Sequence, residues 1–227
     1  NAGAEAWSTA VGTDAGMSIT VGIDNTLIGG KAGDALTDAD YNTAVGRSSL
    51  TSDTLGNKTT AIGWGTLNTQ NFTSNTDTFN TAVGYGAGAA VTTGTLNTLI
   101  GGLAGDAITT GSNNVAIGHA SLGANTTGFA NTAIGSLAGD ALTTGNNNIA
   151  IGSNALGADT LGDRSVAVGN ESLSSQNFTS STDNYNVAVG YQAGKAVTTG
   201  VENTLIGGLA GDAITTASNN TVVGSSA

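Results

Sequence analysis

Hydrophobic and polar positions alternate in this chain over very short stretches, and the same stretch returns thirteen times. Each copy ends on a glycine: Gly12, Gly29, Gly46, Gly63, Gly84, Gly101, Gly118, Gly135, Gly152, Gly169, Gly190, Gly207 and Gly224. Ten of the twelve steps between them are 17 residues; Gly63 to Gly84 and Gly169 to Gly190 are 21. With the glycine as position zero, position −1 is Ile or Val in all thirteen copies and position −3 is always β-branched. Position −2 is Ala except at Leu27, Leu99, Leu205 and Val222, and position −4 is Asn in ten copies. Side chains two apart share a face of an extended strand, so −3 and −1 form one face and −2 the other. A fixed period across a whole chain predicts stacked coils rather than a globular fold with a catalytic cleft. The expected fold is all-β, a parallel β-solenoid (β-roll) of 17-residue coils, with residues 1–227 forming a single array of about thirteen coils.

Two β-branched residues on one face and a small one on the other suggest that −3 and −1 point inward, stacking Ile on Ile and Thr on Thr. On that reading Ile134 is a core residue, and the small −2 face is free for close packing of three chains around one axis. The recurring glycine predicts a corner with positive φ, or a backbone too near its neighbour for a Cβ. Asn at −4 suits the opposite corner and can form a stacked amide ladder.

The rest of each coil comes in two forms. One has Gly at +4 and an apolar residue at +7, as in Gly33 with Leu36, Gly105 with Ile108 and Gly139 with Leu142. The other has Leu at +4 and a polar residue at +7, as in Leu50 with Asp53, Leu122 with Asn125 and Leu156 with Asp159. The bulky residue moves, but each ordinary coil keeps one, as a filled interior requires. A longer repeat of 106 residues overlies the short one, six coils to a block. The two four-residue insertions obey it, falling in loops near 68–80 and 174–186.

Composition removes several function classes. The chain has 36 Gly, no Pro, no Cys and 9% charged residues, with a net charge of −11. Absent Pro fits a backbone that donates hydrogen bonds nearly everywhere. The negative charge argues against nucleic acid and anionic membrane surfaces. No apolar run reaches membrane-spanning length, so no membrane insertion is expected. One histidine, His119, and no cysteine give no nucleophile–base–acid set, so no enzyme and no catalytic residue is expected. Gly-Gly-Leu-Ala-Gly-Asp at 101–106 and 207–212 is close to a calcium-binding roll unit. The spacing is wrong for that unit and the aspartates form no column, so neither a metal site nor a cofactor is expected.

The string Asn-Thr-Ala-Ile-Gly-Ser-Leu-Ala-Gly-Asp-Ala-Leu-Thr-Thr-Gly at 131–145 resembles the repeats of bacteriophage tail-fibre and tailspike proteins. Ser165-Val166-Ala167-Val168-Gly169 is similar to the Ser-Val-Ala-Ile-Gly head repeat of trimeric autotransporter adhesins, whose coil is shorter. The resemblance spans residues 8–227. It implies a left-handed parallel roll in a homotrimer on a virion or cell surface, hence an extracellular or virion-surface location.

On a rod, binding chemistry belongs on what protrudes. Phe72, Asp77 and Phe79 of the first insertion, with Phe178, Asp183 and Tyr185 of the second, could stack and hydrogen-bond a cell-surface glycan or receptor. The alternative is that these aromatics cover the rod or pack between chains. The expected function is a structural fibre segment of a virion or cell-surface appendage, with adhesion at the insertion loops. A self-assembling extracellular filament, a trimeric adhesin head and an ice-binding solenoid are the other readings. Against ice binding stand the insertions, which are expected to interrupt any flat array.

Overall fold

A 17-residue period leaves room in each turn for one short strand and its corners, and that is how the chain is built. The computed structural model describes residues 7–227. Thirteen three-residue strands form one sheet: Thr9–Val11 (β1), Thr26–Ile28 (β2), Thr43–Val45 (β3), Thr60–Ile62 (β5), Thr81–Val83 (β7), Thr98–Ile100 (β8), Val115–Ile117 (β9), Thr132–Ile134 (β10), Ile149–Ile151 (β11), Val166–Val168 (β13), Val187–Val189 (β15), Thr204–Ile206 (β16) and Thr221–Val223 (β17). Every neighbouring pair is parallel, so the protein is a parallel β-solenoid and no helix occurs among the described residues. At about 4.8 Å per strand the thirteen coils make a rod roughly 60 Å long.

Two further pairs lie at the insertions. Gly56–Asn57 (β4) pairs with Thr76–Asp77 (β6), and Gly162–Asp163 (β12) with Thr182–Asp183 (β14). The main sheet passes both insertions without a slip. Thr60 pairs with Thr81 and Ile62 with Val83 across the first, and Val166 with Val187 across the second. The extra residues leave from a different side of the coil.

The side of the strand that faces the core is the reverse of the sequence expectation. The −2 residues are fully buried from Leu27 to Leu205, Ala133 among them. Ile134 and its −1 equivalents stay on the outer surface, Ile134 at 36% and Ile206 at 41% exposure. The cause is volume. The interior of a coil already holds the +4 leucine or the +7 apolar residue, for example Leu50, Leu122, Leu36 and Ile108, all fully buried. Only a small strand residue fits opposite a +4 leucine. Where Leu does stand at −2, glycine stands at +4: a Cβ on Gly33 would meet Leu27 Cδ2 at 2.8 Å, and one on Gly105 would meet Leu99 Cδ2 at 2.8 Å. The +4 corner is left-handed even when occupied by leucine, with φ 52° at Leu50 and 54° at Leu156. Such a residue costs on the order of 1 kcal/mol in strain, offset by filling the core.

The recurring glycine is constrained twice over. Gly135 has φ +135°, and a Cβ there would lie 2.6 Å from the Gly152 carbonyl group. The asparagines form a ladder that runs through the backbone. Asn131 Oδ1 accepts from the Asn148 N–H at 3.0 Å, and its Nδ2 donates to the Gly145 carbonyl at 2.7 Å. The threonines at +8 form a second ladder, each hydroxyl donating to the next coil's carbonyl, as Thr109 does to Thr126 at 3.0 Å.

Candidate functional site

Three surface features carry recognisable chemistry: the outward face of the long sheet, the two insertions, and an aromatic column beside the face.

The outward face consists of the −3 and −1 columns. It carries Thr at −3 in nine coils and Val or Ile in the other four, against an unbroken run of Val and Ile at −1. No charge falls in either column. Strict register makes the face a regular array of methyls and hydroxyls at one strand spacing.

The insertions rest on a buried polar network at the +7 position, where every other coil that reaches it, except that of Asn125, has an apolar residue. Asp53 is fully buried. Its carboxylate accepts from Gln70 Nε2 at 2.6 Å, the Phe72 N–H at 3.0 Å and the Gly56 N–H at 3.1 Å. Asp159 repeats this with Gln176 at 2.6 Å, Phe178 at 3.1 Å and Gly162 at 3.1 Å. Burial pushes the Asp159 carboxyl above its ordinary value, and these donors offset that only in part. The network seats an aromatic ring at the base of each loop. Phe72 and Phe178 are therefore buried, at 7% and 6% exposure, and present no platform to a ligand. Packing is the better description of these two.

Asp77, Phe79, Asp183 and Tyr185 are exposed, and each pair gathers a cation. Lys58 bonds Asp77 and lies 5.2 Å from the centre of the Phe79 ring. Arg164 bonds Asp183, donates to Tyr185 Oη at 3.1 Å and lies 5.7 Å from that ring's centre. The Asp183 charge beside it holds the Arg164 guanidinium above its ordinary value. The sequence reading missed Lys58 and Arg164. Their signal was available, since both are cations 106 residues apart, one coil ahead of the insertion.

The third feature lies at position +1. Trp64 and Tyr85, on successive coils, stack with centroids 5.0 Å apart and planes 9° apart. Both rings are exposed, Tyr85 at 60%. Among the described residues no group of three or more His, Asp or Glu is placed to hold a metal.

No protein-family model, no curated protein and no solved structure matches this chain. The functional reading therefore rests on the geometry above and on the resemblance of the repeat motifs.

Proposed function

We propose that the chain is a structural rod of a virion or cell-surface fibre, assembled as a homotrimer through the outward sheet face, with the insertion loops displayed for adhesion. The observation that carries this reading is the −3/−1 face. Its strands are about 10 Å long and the rod roughly 60 Å, so the face covers on the order of 600 Å². That matches the largest apolar patch a typical monomer exposes, and patches of this kind mark contact surfaces. Copies of one chain bring identical uncharged columns to a shared axis, so no charge is desolvated when they meet. The threefold number comes from the resemblance to fibre and adhesin-head repeats. Native mass spectrometry tests it: a species of about three times the 21.9 kDa of one chain is expected, and a monomer overturns it.

A second reading has one specific observation behind it. The insertions leave the main sheet in register, so the Thr and Val/Ile array is unbroken, and the objection to ice binding from interruption falls away. On that reading the face stays bare and the chain is monomeric. Thermal hysteresis of a monomeric rod would support it, and no hysteresis would end it.

A further inference from the structure

We infer that the aromatic column at +1 contains a sugar-binding slot, formed by Tyr85, Gly102 and His119, that takes one pyranose ring. This deepens the adhesion part of the function proposed above and rests on it.

The +1 residues of five successive coils are Arg47, Trp64, Tyr85, Gly102 and His119. Trp64 and Tyr85 already stack at the coil spacing, so the other face of Tyr85 is turned along the column toward the next coil. That coil has no side chain at +1. A Cβ on Gly102 would meet only one atom within 4 Å, His119 Cδ2 at 3.9 Å. The column therefore runs ring, ring, empty rung, exposed imidazole.

The dimensions select the occupant. The backbones carrying Tyr85 and His119 are two coils apart, about 9.6 Å at one strand spacing per coil, and the lean of His119 Cδ2 to 3.9 Å from the Gly102 Cβ position narrows the gap between the rings below that. A flat aromatic ring sandwiched at carbon contact distances of about 3.5 Å needs walls only ~7 Å apart. A pyranose chair is thicker, because of its pucker and its axial C–H bonds, and fills the wider gap. Its apolar C–H face would lie against the Tyr85 ring, on the electron-rich side that attracts such positively polarised hydrogens. Leu103, next to Gly102, gives the slot an apolar floor. Leu103 leans toward the Tyr85 coil, its Cδ2 lying 3.2 Å from where a Cβ on Gly86 would stand. Polar partners for the hydroxyl rim come from the His119 imidazole and from Asp106, whose Oδ1 reaches the His119 coil, 3.7 Å from where a Cβ on Gly123 would stand. The net charge of −11 disfavours a nucleotide in the same slot.

The 106-residue duplication supplies an internal control. The equivalent rungs in the second block are Asn170, Tyr191, Gly208 and Ser225. That half-site keeps one ring and the empty rung but lacks both the supporting indole and the closing imidazole. A Cβ on Gly208 meets nothing within 4 Å, so a ring can be introduced at either glycine.

The test is saturation-transfer NMR on the full chain, with methyl glycosides of glucose, galactose and mannose at millimolar concentration. The expected result is transfer to the C–H protons of one ring face for at least one of the sugars. Gly102→Tyr fills the rung and should lower that transfer at least tenfold, with native mass and circular dichroism unchanged. Tyr85→Leu should do the same, and serves if Gly102→Tyr misfolds. Gly208→Tyr should leave binding intact. Transfer that survives both Gly102→Tyr and Tyr85→Leu overturns the slot. If it is then lost in a Phe79→Ala, Tyr185→Ala double variant, adhesion sits at the insertions and only the slot fails. No transfer from any of the sugars also overturns it, while the native mass still decides the fibre reading.

Discussion

The two six-coil blocks are the same structure built twice, and they differ both on the surface and at a few buried positions, such as Leu27 opposite Ala133 and Thr78 opposite Asn184. The loop-base network is copied residue for residue: Asp53, Gln70 and Phe72 become Asp159, Gln176 and Phe178. The exposed cluster keeps its chemistry while changing residues, as Lys58 and Phe79 give way to Arg164 and Tyr185. The outward face exchanges Val and Ile at three −1 positions and changes four −3 positions, of which three lose a hydroxyl and one, Thr221 opposite Val115, gains it. Thr43, Thr60 and Thr81 stand opposite Ile149, Val166 and Val187, so the β-branched shape is kept and the hydroxyl is lost. A face that must order water would be harmed by that exchange. A face that packs against another copy is indifferent to it, because Val is close to isosteric with Thr. The comparison thus favours packing over ice binding for the −3/−1 columns.

The largest effect should come where the blocks do not differ at all. Gly46→Ala and Gly152→Ala both force a Cβ against the next glycine, which lies 2.6 Å or less away, at φ +132° and +131°. Each should cost on the order of 4 kcal/mol, from strain and overpacking together, and thermal melts should show the two variants equally damaged. Unequal damage would mean the blocks differ in rigidity.

Asn25→Ala and Asn131→Ala come next. Each removes an amide with one acceptor bond and one donor bond to the following coil, Asn42 N–H and the Ala39 carbonyl for Asn25. Leaving those partners buried and unpaired should cost roughly 2–3 kcal/mol by urea unfolding. Asn125 should behave in the opposite way. It occupies the place of Asp53 and Asp159 in a coil that no insertion follows, and neither amide atom has a partner. Asn125→Ala should be neutral or raise stability by about 1 kcal/mol.

The smallest effect is a pH slope. The folded pKa of Asp159 lies above its ordinary value of 3.8, mainly because burial disfavours the charge. Its contribution to stability is therefore complete below the unfolded value and is lost as pH rises through the raised folded value. Between pH 4 and 7, Asp159→Asn should show a shallower fall of melting temperature with rising pH than the parent. An unchanged slope would mean that Asp159 does not titrate in that window.

The coil boundaries, the register and the two insertions were legible because one glycine and one Ile/Val column mark every turn. Alternation gives parity without sign, however, and so the core was assigned to the wrong side of the strand. The deciding signal was present in a correlation of volumes: Leu27, Leu99 and Leu205 occur only where +4 is Gly33, Gly105 or Gly211. Residues that trade volume in this way share an interior. The loop aromatics were harder, because Phe72 and Phe79 differ in depth for a reason that lies with Gln70, two residues before Phe72, and Asp53, nineteen residues before it. The Trp64–Tyr85 stack needed the coil spacing before it could be seen as a stack.

Native mass of the parent and of Ile134→Asp tests the central claim most directly. Ile134 lies on the outward face beside Ile117 and Ile151. If copies meet there, the parent is a trimer, and the variant is a monomer that keeps its β-sheet circular dichroism, because the charge faces water once the copies separate. A monomeric parent, or a variant that stays trimeric, would contradict the account.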